Sequence, residues 1–139
     1  MREVVGYLPG AFDMFHIGHL TILRRARSAC TRLVVGVVTD DVMVASKGKA
    51  PVIPFEERLE IVQSITGVDA AVADTSSDKT VAWRKSPFDV LFKGDDWKGT
   101  PKGDRLEGDM AALGVEVVYF PYTTQTSSTL LRRYIAADS

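Results

Sequence analysis

Apolar runs recur along the chain at intervals that leave room for a helix between each pair. Val4, Val5, Tyr7 and Leu8 form the first, Leu33 to Val38 the second, Asp69 to Ala73 the third, Phe88 to Phe92 the fourth and Glu116 to Phe120 the fifth. The second run is valine-rich and too apolar for a strand with one wet face. It predicts a strand covered on both sides, which places it in a parallel sheet. The intervening segments carry helical periodicity. A helix is predicted from about His19 to Ala29 with Leu20, Leu23 and Ala26 inward, and a short helical turn over Asp41 to Ala45. Another covers Phe55 to Ile65, with Phe55, Leu59, Val62 and Ile65 on one stripe, acids in the first turn and Gly67 ending it. Further helices are expected over Asp78 to Lys85, stopped before Ser86-Pro87; over Asp104 to Leu113, stopped at Gly114; and over Ser128 to Ala137. Regular alternation of strand and helix makes this an α/β fold with a five-stranded parallel sheet and helices on both faces.

Composition narrows the class of ligand. With 139 residues, 45% of them hydrophobic, the chain has the size and core material of one domain, expected to span 1–139. Its 17 Lys and Arg are balanced to a net charge of −1, so no basic field exists to attract nucleic acid, and the expected ligand is small. One cysteine excludes an internal disulfide framework, and no apolar segment is long enough for a signal peptide or a membrane span. A cytoplasmic location is the expectation.

Both histidines of the chain fall in one tetrapeptide, His16-Ile17-Gly18-His19, between the first strand and the first helix. A helix N-terminus offers unpaired N–H groups and the positive end of its dipole, so it stabilises a phosphate before any side chain contributes. Two imidazoles three residues apart add donors on one side of the turn, and Gly18 leaves the backbone open to a phosphate oxygen. A cap or surface histidine beside a packed one is the plain alternative. Metal binding is the weaker one, because zinc asks for three or four protein ligands and the only cysteine, Cys30, belongs at the far end of the same helix.

Three other stretches carry candidate chemistry. Ser46 to Pro54 is a loop holding Lys47 and Lys49, which on general grounds is either a solvated edge or a pair of mobile charges for phosphate. Lys93 to Gly99, Lys-Gly-Asp-Asp-Trp-Lys-Gly, follows the fourth strand; it is either an acidic turn with a half-buried Trp97 or a site where Asp95 and Asp96 meet a ribose. Tyr122 to Thr129 is rich in hydroxyls. Ser127, Ser128 and Thr129 are ordinary helix caps or, three in a row at a helix N-terminus, a second phosphate cradle.

The string Gly10-Ala11-Phe12-Asp13-x-x-His16-x-Gly18-His19 resembles the signature of the cytidylyltransferase-like nucleotidylyltransferases, which share H-x-G-H with class I aminoacyl-tRNA synthetases. Within that superfamily the chain most resembles the small bacterial glycerol-3-phosphate cytidylyltransferases, nearly end to end. The resemblance implies a single Rossmann-like domain of the nucleotidylyltransferase (HUP) type. It implies His16, His19 and Lys47 as catalytic groups. Nucleotide contacts are implied for Gly10, Ala11, Phe12, Gly18, His19, Lys47, Gly94, Asp95, Asp96, Trp97, Thr123, Ser127, Ser128 and Thr129, and acceptor contacts for Asp13, His16, Lys49 and Tyr122. Arg58 matches a family arginine of structural or interfacial role, although in Glu-Glu-Arg it also reads as a surface ion pair. Two family arginines are replaced, by Thr66 and Tyr122, and Thr124 and Gln125 stand in place of a Glu-Gly pair. Either Arg84 or Arg132 takes over from another element, or the substrates sit differently.

The expected reaction is attack by an acceptor phosphate on the α-phosphorus of CTP, with Mg²⁺ bound through the nucleotide's phosphates and no separate metal site on the protein. The acceptor is expected to be a small polyol or sugar phosphate, and the chain to be a homodimer, as the related enzymes are. An adenylyltransferase acting on a heptose-like phosphate is the alternative enzyme, and a nucleotide-binding domain without turnover the alternative class.

Overall fold

The computed structural model describes residues 2–121 and 128–137. Strand β1 (Val5–Gly10) leads through a loop into helix α1 (Ile17–Ser28), and β2 (Arg32–Val38) is followed by α2 (Asp40–Lys47) and α3 (Phe55–Gln63). Then come β3 (Ala70–Asp74), α4 (Lys79–Lys85), β4 (Val90–Gly94), a single 3-10 turn (Asp95–Trp97), α5 (Pro101–Ala111), β5 (Glu116–Phe120) and α6 (Ser128–Ala137). The five strands form one parallel sheet in the order β3-β2-β1-β4-β5. The expected α/β architecture is therefore what the chain adopts.

Period-two alternation along each strand divides the interior into two cores. Leu8, Leu33, Val35, Val37, Val90 and Phe92 face α1 and α3 together with Leu23, Ala26 and Val62. Tyr7, Val34 and Leu91 point the other way and pack with Phe88, Leu106, Met110 and Val115. Both faces of the central strands are covered, as the unbroken run from Leu33 requires.

The winding of the sheet reverses between β1 and β4, since β2 and β3 build outward on one side of β1 and β4 and β5 on the other. β1 follows β2 along its full length to Gly10↔Val37, whereas its pairing with β4 ends at Tyr7↔Leu91. Past that point the two strands part at their carboxyl ends, which is where open α/β sheets form a crevice.

Some boundaries differ from the sequence reading. α2 is a helix of eight residues carrying Lys47 in its last turn, and Gly48 with φ +82° ends it. α3 stops at Gln63, well before Gly67, and β4 begins at Val90 after Phe88 and Asp89 lead in. α5 starts at Pro101, because Thr100 caps it by accepting the Gly103 N–H and proline suits the first turn of a helix. β3 lies one residue later than expected and ends on a buried carboxylate, Asp74. Asp74 accepts a 2.5 Å hydrogen bond from the Tyr7 hydroxyl and pairs with Lys79 at 2.9 Å. Tyr7 reaches it by crossing β2 over Gly36, where an added Cβ would lie 1.9 Å from the hydroxyl oxygen. Glycine is needed there for close approach. Among the described residues no helix is long and apolar enough to cross a membrane.

Candidate active site

The loop from β1 to α1 is tightly wound. Phe12 and Met14 adopt positive φ, 53° and 49°, on either side of Asp13. Such a conformation costs a non-glycine residue about 1–3 kcal/mol, so the surrounding contacts must impose it. Asp13 supplies several of them. Its side chain is 2% exposed; Oδ1 accepts the Ile53 N–H at 2.8 Å, and Oδ2 accepts the Val52 N–H at 2.8 Å and a 2.5 Å bond from Arg132 Nη2. Its backbone carbonyl accepts the Ser128 hydroxyl at 2.7 Å. Asp13 thus ties three segments together: its own loop, the lysine-bearing loop and the start of α6. Burial alone would raise its pKa, but the Ile53 and Val52 amides and Arg132 outweigh that and hold it below the ordinary carboxylate value. Asp13 also lines the cavity at the parting of β1 and β4, with both carboxylate oxygens engaged by these groups.

Arg58 reinforces the same region from beneath. It is fully buried, not a surface residue; Nε donates to the Ile53 carbonyl, Nη1 to the carbonyls of Ala11 and Val38, and Nη2 to Asp40 Oδ1 at 2.6 Å. One guanidinium therefore fixes the ends of β1 and β2, the start of α2 and the lysine loop. Its planar fork makes this possible in a way one ammonium cannot.

The two histidines cap α1 and each other. His16 is the N-cap, and its Nδ1 accepts the Gly18 N–H at 3.0 Å; the His16 backbone N–H in turn donates to Nδ1 of His19 at 3.2 Å. With both Nδ1 atoms acting as acceptors, each ring carries its proton on Nε2. The rings lie 4.0 Å apart, and His19 is flanked by Phe12 and Phe15. Burial lowers the pKa of His16; burial and then the neighbouring His16 push His19 down to about 4, against a weaker opposing pull from Asp13. Both are neutral Nε2–H donors near pH 7.

These groups open on a cavity of about 960 Å³ at the β1/β4 parting. Gly10, Ala11, Phe12, His16, Gly18 and His19 form one wall. Of the other expected residues Asp13, Lys47, Lys49, Gly94, and Ser128 and Thr129 of α6 lie on its surface. Arg132 joins them, while Arg84 sits exposed at the end of α4, away from the cavity. Asp95, Asp96 and Trp97 do not line it. Their 3-10 turn follows Gly94, and the Trp97 ring lies under Lys93, whose Nζ is 3.9 Å from the ring centroid. The calls on Tyr122, Thr123, Thr124, Gln125 and Ser127 fall outside the described residues. Sequence reasoning passed over the site role of Lys93, which borders the cavity, and the burial of Arg58. Neither has a signal in its neighbours' periodicity.

Among the described residues no three His, Cys, Asp or Glu side chains converge to hold a metal. The donor set on the cavity is cationic and imidazole-rich, suited to the anionic oxygens of a phosphate rather than to a divalent ion.

The family model for cytidylyltransferase-like proteins matches residues 7–134. The chain belongs to this family. Its similarity to the glycerol-3-phosphate cytidylyltransferase of Bacillus subtilis strain 168 is 34% identity over 137 residues, covering 98% of both chains. It is 39% identical over 107 residues to an ethanolamine-phosphate cytidylyltransferase of Arabidopsis thaliana, which covers 73% of this chain but only 25% of that longer protein. A lipopolysaccharide core biosynthesis protein from Thermoplasma volcanium GSS1 superposes with a TM-score of 0.74 at 23% identity, over 90% of this chain and all of that one. That likeness is one of fold. Cytidylyltransferase-like membership agrees with the place of the cavity, at the carboxyl ends of parallel strands and against a helix N-terminus.

Proposed function

We propose that this protein is a cytidylyltransferase that transfers CMP from CTP to a small polyol or sugar phosphate, glycerol 3-phosphate or a relative of it. The observation that carries the reading is the reciprocal histidine cap, two neutral Nε2–H donors at the N-terminus of α1, on a cavity shared with Lys47 and Lys49. An oxygen of the acceptor phosphate attacks the α-phosphorus, the bond to the β-phosphate breaks, and pyrophosphate leaves in line. A phosphate monoester is largely a dianion near neutral pH, so no strong general base is needed. His16, His19 and the positive end of α1 stabilise charge developing on the phosphoryl oxygens, and the lysines follow it toward the leaving group. Mg²⁺ bound to CTP as part of the substrate would neutralise charge on its phosphates. Arg132, anchored by Asp13 on the cavity wall, is the residue that answers for the arginine replaced at Tyr122.

The test is pyrophosphate release from CTP and from ATP across a panel of glycerol, ethanolamine and sugar phosphates. CTP-dependent release with one such acceptor is the expected result. Preference for ATP with a sugar phosphate would instead make the protein an adenylyltransferase, and nucleotide binding without release would make it a binding domain. The proposed enzyme is one domain over 1–139 working in the cytoplasm.

The proposal extends to a homodimer. Edge strand β3 and helix α3 turn Val72 and Ile61 outward, each 41% exposed, and a second copy of the same face would cover them. Sedimentation at micromolar concentration should show a species of twice the chain mass; the single-chain species alone would dispose of this.

A further inference from the structure

Lys93 is a cation that the frame of the site does not use. It stands at the carboxyl end of β4, two residues after Leu91 and so on the α4/α5 side of the sheet, and it borders the cavity. Its ammonium rests 3.9 Å from the centroid of Trp97. No carboxylate lies within 4 Å of it among the described residues, in contrast to Arg58, Lys79 and Arg132.

The platform beneath it is rigid. The Trp97 carbonyl accepts the Thr100 hydroxyl at 2.6 Å and the Thr100 N–H at 3.0 Å, and a Cβ on Gly103 would come within 2.1 Å of that carbonyl oxygen. The stretch from Gly94 to Gly103 therefore holds an indole against the first turn of α5, and the indole fixes the lysine. Three further lysines, Lys79, Lys47 and Lys102, repel the charge, and Asp96 attracts it from beyond ion-pair distance. Burial first, and then these lysines, lower the affinity of Lys93 for its proton. A group in that position gains from an anion brought to it.

Which anion follows from where the helix ends lie. Ser128 and Arg132 of α6 are bound to Asp13, so the N-termini of α1 and α6 stand together on the Asp13 side of the opening. The nucleotide's phosphates belong there. Lys93 stands at the end of β4, across the parting of β1 and β4 from them, near enough to Lys47 to feel its charge. In-line displacement requires the entering oxygen to approach from the side away from the leaving group. Resting on the transfer reaction proposed above, we infer that Lys93, stacked on Trp97, receives the phosphate of the acceptor and sets the preference for a dianionic acceptor.

The test uses Lys93→Met, whose unbranched apolar side chain keeps contact with Trp97, and Lys93→Arg, which keeps the charge. With near-ultraviolet circular dichroism confirming an unchanged tryptophan environment, Lys93→Met should raise the KM for glycerol 3-phosphate by about tenfold or more while the KM for CTP stays within about twofold. Lys93→Arg should recover most of the loss. Calorimetric titration of glycerol 3-phosphate into nucleotide-free protein should show the same weakening. An unchanged acceptor KM, or a rise confined to CTP, overturns the assignment and leaves the transfer reaction standing. If the unaltered protein releases no pyrophosphate with any acceptor, the reaction itself is wrong. The titration then decides on its own: binding lost in Lys93→Met upholds the phosphate site, and binding unaltered removes it.

Discussion

The two lips of the cavity hold their charges differently. On the α1 side Arg58 pairs with Asp40 and Arg132 with Asp13, and carbonyls and amides satisfy what remains of Arg58 and Asp13, while Lys47 and Lys49 stand on the cavity outside this frame. On the α4/α5 side Asp74 and Lys79 pair beneath the surface, but Lys93 has only the face of an indole. Cations with partners build the frame that sets the strained loop; a cation without one is what a substrate anion meets. The two histidines belong to both kinds, with Nδ1 spent on the backbone and Nε2 left to donate.

The hardest way to break this contrast is to remove the centre of the frame. Arg58→Leu leaves three carbonyls without their donor around a fully buried side chain and leaves Asp40, 43% exposed, to water; at about 1–3 kcal/mol for each carbonyl left unsatisfied the loss is several kcal/mol. Chemical denaturation should show a loss of that order, with Arg58→Lys recovering little, because one ammonium cannot face four acceptors in the geometry of the fork. A Leu variant within about 1 kcal/mol of the parent would show that the frame is dispensable.

Next in size comes the histidine pair. His16→Ala and His19→Ala should each lower CMP transfer by about a hundredfold, the typical effect of losing one preorganised donor at a developing charge. Stability should fall by only about 1 kcal/mol, the worth of a helix cap. Activity near that of the parent in a folded variant would return the pair to a capping role alone.

How far each part could be read in advance follows from how local its cause is. The H-x-G-H segment is legible because its strand, its Pro-Gly break and its helix are contiguous, and all that the site asks of them is in that order. Arg58 is not. It lies in the first turn of a helix beside Glu56 and Glu57, where a charged residue looks solvated, and its burial is decided by carbonyls at Ala11, Val38 and Ile53, far apart in sequence. Lys47 was expected in a loop because the glycine ending α2 comes directly after it, and Asp74 was missed because a carboxylate closing a strand reads as the start of a turn. Trp97 lies beneath Lys93, a relation supported by the close approach of Gly103 to its carbonyl, which no periodicity displays.

Gly36→Ala examines the other side of the sheet on a smaller scale. The new methyl would displace the Tyr7 hydroxyl from its path to Asp74, and overpacking of this kind costs about 1–3 kcal/mol. Tyr7→Phe should cost only about 1 kcal/mol, since Asp74 keeps Lys79. If the phenylalanine variant proved the more damaging of the two in thermal or chemical unfolding, the Tyr7–Asp74 bond rather than the space over Gly36 would be what organises that core.

The smallest expected effect concerns pH and separates the histidines from the carboxylates of the frame. Unfolded, His19 takes up a proton near its ordinary value of 6.5; folded, burial and His16 hold it neutral down to about 4. Between those values the unfolded chain binds more protons than the folded one, so stability rises with pH and is lost as the solution is acidified from about 6.5 toward about 4. Lowered affinity at His16 acts in the same direction. Asp13 works in a different range: its lowered pKa gives stability that is present above the ordinary carboxylate value and is lost only as pH falls below it. One proton sets a ceiling of about 1.4 kcal/mol per pH unit, and His19, being partly exposed to the cavity, should give well under that. Denaturation midpoints measured from pH 7 to pH 4.5 on the parent and on His19→Gln should therefore converge as pH falls, the variant losing less. Parallel curves would mean that His19 is as free to protonate in the folded protein as in the unfolded chain, near its ordinary value of 6.5.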